Sequence, residues 1–92
     1  MNYIEEIKEE LSIELDWGVE GEYEPLLDLY TCLVLTTGEN TTLENVHDAW
    51  SVWKNAYGDG EHRSLKPFSE LIKEVQELDR PYTEAIIKVA KN

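Results

Sequence analysis

Cysteine is nearly absent from this chain. Cys32 stands alone among 92 residues, so no internal disulfide can staple the fold, and a reducing compartment is the expected setting. Basic residues are nearly absent from the first half. Residues 1–48 carry 13 acids against one base, Lys8, whereas residues 49–92 carry seven of each. The net charge of −12 therefore belongs to the N-terminal half, which argues against direct nucleic-acid binding there because phosphates would be repelled. Long apolar runs are missing too. The longest, Cys32 to Leu35, falls far short of the roughly 20 residues a membrane-spanning helix needs. No basic segment precedes an apolar run near the start, so no signal peptide is expected and a cytoplasmic location is. There are no internal repeats, no low-complexity tracts, no Gly-rich phosphate loop and no Gly-x-Ser-x-Gly step.

What remains is a short, aromatic-rich chain. Its length gives one small domain, which buries only about 60% of its unfolded surface. Three Trp and five Tyr must supply much of the core.

The hydrophobic pattern is helical from end to end. Asn2 with Glu5 makes a capping-box-like start for a first helix, on which Ile4, Ile7 and Leu11 recur at helical spacing. Glu5, Glu6, Glu9 and Glu10 face away from that stripe. The helix should fray between Leu15 and Gly18, before an acidic, Gly-containing connection over 18–24. Pro25 suits a first helical position. Leu26 to Thr37 is apolar on nearly every side, as a central helix would be, although Val34, Thr36 and Thr37 leave a strand open. Gly38 should stop it. Thr41 with Glu44 reads as the capping box of a third helix, with Leu43, Val46, His47, Trp50, Trp53 and Tyr57 along one face. Gly58 to Lys66 reads as a loop. Pro67 or Phe68 should open a helical turn through Glu77, with Phe68, Leu71, Ile72 and Val75 inward. Asp79 can cap a last helix carrying Tyr82, Ile86 and Val89 or Ala90 inward. The expected fold is all-α: a single small domain, 1–92, of four or five helices, with an irregular or β-like loop near 58–66. Its acidic N-terminal helices occupy 1–40 and a second helical segment occupies 41–92.

One block carries a resemblance. His47-x-x-Trp50, Tyr57-Gly58, His62 with Leu65, Pro67-Phe68-x-x-Leu71 and Asp79-Arg80 resemble the ryanodine-receptor repeat domain over about 35 residues. The resemblance implies a helical module that binds a partner or senses a small, nucleotide-derived ligand. The chain as a whole is similar to small uncharacterised proteins of actinobacteria and their phages. Those share an N-terminal helix, an apolar Leu-Tyr helix and the step Val46-His47-Asp48-Ala49-Trp50, which implies a protein of such a bacterium or of its phage, acting in the host cytoplasm if phage-encoded.

Each candidate site has a structural reading beside its functional one. His47 on an apolar face is expected to be a core histidine bonded to a backbone carbonyl or to a carboxylate such as Glu44. Trp50, Trp53 and Tyr57 are a packing stripe or a platform on which a planar ligand stacks, with Trp53 the one expected to be exposed. His62 and Arg63 are a solvated loop or a grip on a phosphate or carboxylate. Cys32, His47 and His62 lack zinc-ligand spacing, and Asp59-Gly60-Glu61 is too short for a calcium loop. Cys32, set in an apolar helix, should be an inert thiol. No catalytic constellation, metal or cofactor is expected.

The leading expectation is a non-enzymatic protein that engages a partner with a basic surface through Glu5, Glu6, Glu9 and Glu10. The alternative is a sensor using Trp50, Trp53, Tyr57, His62 and Arg63 around a nucleotide-like ligand. A homodimer through the apolar second helix is a further open reading.

Overall fold

A computed structural model describes all residues, Met1–Asn92, and contains helices and turns with no strand. Helix α1 spans Tyr3–Leu15, α2 Glu24–Thr36, α3 Leu43–Tyr57, the single-turn α4 Lys73–Gln76, and α5 Arg80–Lys91. Tight 3-10 turns lie at Gly38–Asn40, Phe68–Glu70 and Glu77–Asp79. The chain is an all-α single small domain, as its periodicity predicts. The 58–66 loop is irregular rather than β-like. Its turns close through the His62 N–H to the Asp59 carbonyl and the Leu65 N–H to the His62 carbonyl.

Helix α1 begins at the expected cap, the Asn2 side chain accepting the Glu5 N–H at 3.0 Å. It ends on Asp16 at φ 57, a left-handed conformation that short polar residues tolerate. The Trp17 N–H then reaches back to the Ser12 carbonyl at 2.9 Å. This reversal brings Trp17 against the core instead of continuing outward.

Helix α2 is central, packing on α1, α3 and α5. Leu26, Leu27 and Tyr30 are buried in it, with Pro25 in its first turn, where a missing N–H costs nothing. The β-branched end is helical, not a strand, with Thr36 donating to the Cys32 carbonyl and Thr37 to the Leu33 carbonyl. Cys32 is exposed, not embedded as its apolar neighbours suggest, because it shares the outer face of α2 with Asp28 and Leu35.

The capping box of α3 sits one residue later than Thr41 and Glu44. Thr42 accepts the Asn45 N–H at 3.1 Å, and the Asn45 side chain accepts the Thr42 N–H at 2.9 Å. Thr41 is instead buried, its hydroxyl donating to the Gly38 carbonyl at 2.7 Å and closing the preceding turn. Gly38 has φ +54, and an added Cβ there would meet only the Ala90 Cβ at 3.9 Å. Space is therefore no obstacle, but the backbone is. Gly38→Ala is expected to lose about 1 kcal/mol, read as a lower urea midpoint. An unchanged midpoint would show that the turn relaxes freely.

Beyond the loop, the turn expected from Pro67 to Glu77 is broken in two. Leu71 and Ile72 take extended backbone between the 3-10 turn and α4. Leu71 is buried, while Ile72, expected inward, is swung into solvent. Helix α5 buries Thr83, Ala85, Ile86 and Val89, and the half-buried Tyr82 packs on the same core.

Candidate functional site

A cleft of about 620 Å³ opens on one side of the domain, within the size range of small-molecule sites. Four separate stretches of chain build it: Trp17 and Tyr23 from the first connection with Leu26 and Tyr30 of α2; His47, Trp50, Trp53 and Lys54 of α3; His62 and Ser64 of the loop; and Val75, Leu78, Asp79 and Tyr82.

Its aromatic residues form two networks. In one, Trp17 stacks on Tyr23 at 5.3 Å and on Tyr30 at 6.0 Å, and leans on Tyr82 at 5.8 Å, while Tyr23 meets Trp53 at 5.7 Å. In the other, Trp50 stacks on His47 at 5.8 Å and meets His62 edge-on at 5.3 Å. Each such pair contributes on the order of 1 kcal/mol beyond area burial, so the walls are held before any ligand arrives.

The polar groups are few and specific. His47 is almost wholly buried, and its Nε2 lies 2.7 Å from the Lys66 carbonyl. A carbonyl only accepts, so Nε2 carries the proton, and the histidine is satisfied by backbone as expected. The carboxylate beside it is not Glu44 but Asp79, whose Oδ2 is 4.0 Å from His47 Nδ1. Asp79 occupies the N-cap position of α5 but makes no capping bond. Its backbone is helical there, and Thr83 binds its carbonyl at 2.9 Å, so the side chain is released into the cleft wall. The neighbouring Arg80 does not pair with it, because that guanidinium grips Glu77 through two hydrogen bonds. Burial holds the Asp79 carboxyl above the usual carboxylate range, and His47 partly offsets this. Tyr30 is pushed up by burial and, less, by the charge of Asp79, so its hydroxyl stays protonated. The Trp53 Nε1–H is buried without a hydrogen-bond partner, a state that costs about 1–3 kcal/mol and calls for an acceptor. His62 Nδ1 accepts the Ser64 N–H at 3.0 Å, which fixes that ring's orientation.

Asp79, His47 and Ser51 have the composition of a nucleophile triad, but the geometry opposes one. The Ser51 oxygen is 3.4 Å from His47 Nε2, the nitrogen that already bears the proton given to Lys66, so it cannot take one from Ser51. No group of three or more His, Cys, Asp or Glu side chains is placed to hold a metal ion. No helix is long and apolar enough to cross a membrane.

The raised Asp79 carboxyl has a consequence for stability. Folding makes its protonation easier than in the unfolded chain, so its contribution is fully present below the unfolded carboxylate range and is lost as pH rises through the folded value. Asp79→Asn keeps the shape without the buried charge. It is expected to raise the melting temperature by roughly a few degrees near pH 8, and the gain should vanish towards about pH 3. A variant less stable than the parent near pH 8 would give Asp79 a structural role instead.

Of the residues singled out from sequence, the cleft brings together Trp50, Trp53 and His62. Tyr57 and Arg63 do not line it. Tyr57 is 68% exposed at the end of α3, and Arg63 points from the loop into solvent. The exposed aromatic of the stripe is thus Tyr57, whereas Trp53 is half-buried on the core. Sequence reasoning missed Trp17, Tyr23, Tyr82 and Asp79. A signal for the first two existed: Trp17 and Tyr23 bracket a Gly-containing connection where no helical stripe accounts for them. On α1, Glu5, Glu6 and Glu9 are exposed and form no ion pair, while Glu10 is half-buried and accepts the Asn92 side-chain amide at 2.9 Å. The one base on α1, Lys8, is held between Glu24 and Asp28, at 2.8 Å from each, and Lys88 of α5 pairs with Glu14 at 3.1 Å.

Fold and cleft together define a small all-α domain with an aromatic-walled cleft. Within that class the chain belongs to the family of the domain of unknown function DUF7701, whose family model matches residues 2–91. No curated protein matches the chain, and no solved structure does.

Proposed function

We propose that this protein is a non-enzymatic binding module whose cleft takes a small ligand bearing a planar ring. The observation that carries the reading is the convergence of six aromatic rings and a poorly exposed carboxyl on one cleft. Aromatic faces bind planar groups by stacking, and a few fixed polar groups orient them. Binding rather than catalysis is supported by the commitment of His47 to Lys66 and by the absence of a nucleophile beside a free base. The nucleotide-derived ligand implied by the ryanodine-receptor resemblance belongs to this class, with Trp50, Trp53 and His62 as its contacts. The test is a panel of nucleosides, nucleotides and aromatic amines followed by thermal shift and Trp fluorescence. At least one class should raise the melting temperature and change the fluorescence saturably. A panel with no effect in either measurement would remove the reading.

A second reading rests on a different surface. The exposed, unpaired Glu5, Glu6 and Glu9 give α1 an acidic face, which suits a partner protein with a basic surface, a host protein if the chain is phage-encoded. Such binding should weaken steeply with salt and be lost when Glu5, Glu6, Glu9 and Glu10 are changed to Lys. Affinity unchanged in that variant would rule the surface out.

A further inference from the structure

We infer that the ligand of this cleft is cationic: a protonated amine carried on a planar ring, with the positive group held by Asp79 against the aromatic walls. This rests on the cleft being a binding site and names the chemistry it selects. Asp79 is the only acid lining the cleft, and its side chain is 16% exposed. Within the chain no Lys or Arg pairs with its carboxyl, and His47 Nδ1 lies 4.0 Å away, too far for a hydrogen bond. It caps no helix, and Arg80 is engaged by Glu77. A carboxylate so placed has its acceptor oxygens free for a donor entering the cleft, and a charged donor gives the stronger bond. The walls suit the same charge. The face of an indole or phenol ring attracts cations, and the protein already uses this once, with Lys54 Nζ 5.8 Å from the Trp53 ring centre. The net charge of −12 adds a field that draws cations in and turns anions away.

Three indole probes of one shape and different charge separate this from simple stacking: tryptamine (cation), tryptophol (neutral) and indole-3-acetate (anion). Each is titrated into the ¹⁵N-labelled full chain, following the indole N–H resonances of Trp50 and Trp53. Tryptamine should shift both and bind about tenfold or more tighter than tryptophol, with indole-3-acetate weakest. Asp79→Asn should bring tryptamine to the affinity of tryptophol. Equal affinities in the parent protein, or a preference that survives Asp79→Asn, would overturn the inference while leaving the cleft a binding site. Failure of all three probes to shift these resonances would also overturn it. The cleft reading itself would then fall only if the wider panel of nucleosides and nucleotides were equally silent.

Discussion

Leu27→Ala should cost about 3 kcal/mol of folding stability. Leu27 is fully buried in α2, the helix that packs on α1, α3 and α5. It does not line the cleft, so its loss reports on the core alone. Truncation there removes three carbons and leaves a cavity that helices on three sides cannot easily close, because each is pinned by other contacts. A domain of this size has on the order of 5–10 kcal/mol in total, so the melting temperature should fall by roughly 12 °C or more. Loss below about 1 kcal/mol, measured by urea unfolding, would mean that α2 is not the helix around which the domain is built.

Trp50→Ala should weaken ligand binding by about thirtyfold or more, the loss typical of an aromatic anchor. Trp50 is half-buried and makes two contacts that shape the cleft, stacking on His47 and receiving His62 edge-on. Its removal takes away a stacking face and frees the His62 ring that closes one side. The fold should survive, since Val46 and Ala49 on the same helix remain buried in the core. Isothermal titration with the tightest compound of the ligand panel gives the affinity, and circular dichroism checks the helix content. Binding within threefold of the parent, in a variant that is still helical, would place the ligand elsewhere.

Much of the fold was legible because each helix writes its own burial pattern. The stripes of α1, α3 and α5, the cap at Asn2 and the all-round apolar character of α2 can each be read within one element. The site was only partly legible, because it belongs to no single element. Trp50 and Trp53 stand on a readable stripe, but Trp17 reaches the cleft through a left-handed Asp16 that periodicity does not record. Asp79 was misread for a physical reason. An acid just before Arg-Pro at a helix start has the signature of a cap, yet its helical backbone conformation and the Thr83 hydroxyl bond leave the side chain free. The displacement of the α3 cap from Thr41 to Thr42 has a similar origin. Two adjacent threonines compete, and the one nearer Gly38 is used to close the turn.

The division of charge along the chain now has a spatial meaning. The acidic α1 face carries Glu5, Glu6 and Glu9 into solvent, while the cleft draws its polar groups from α2, α3, the loop and the start of α5, with Asp79 its only acid. A partner surface and a ligand site can therefore coexist and be tested separately by charge reversal on α1 and by substitution at Trp50 or Asp79.

The most direct test of the cleft as the binding site is amide and indole chemical-shift mapping with the tightest ligand the panel yields. Saturable shifts should gather on Trp17 and Tyr23, on His47 to Lys54, on His62 to Ser64 and on Val75 to Tyr82, four stretches that meet only at the cleft. Shifts gathered instead on the acidic face of α1, or a panel in which no compound binds, would contradict the account.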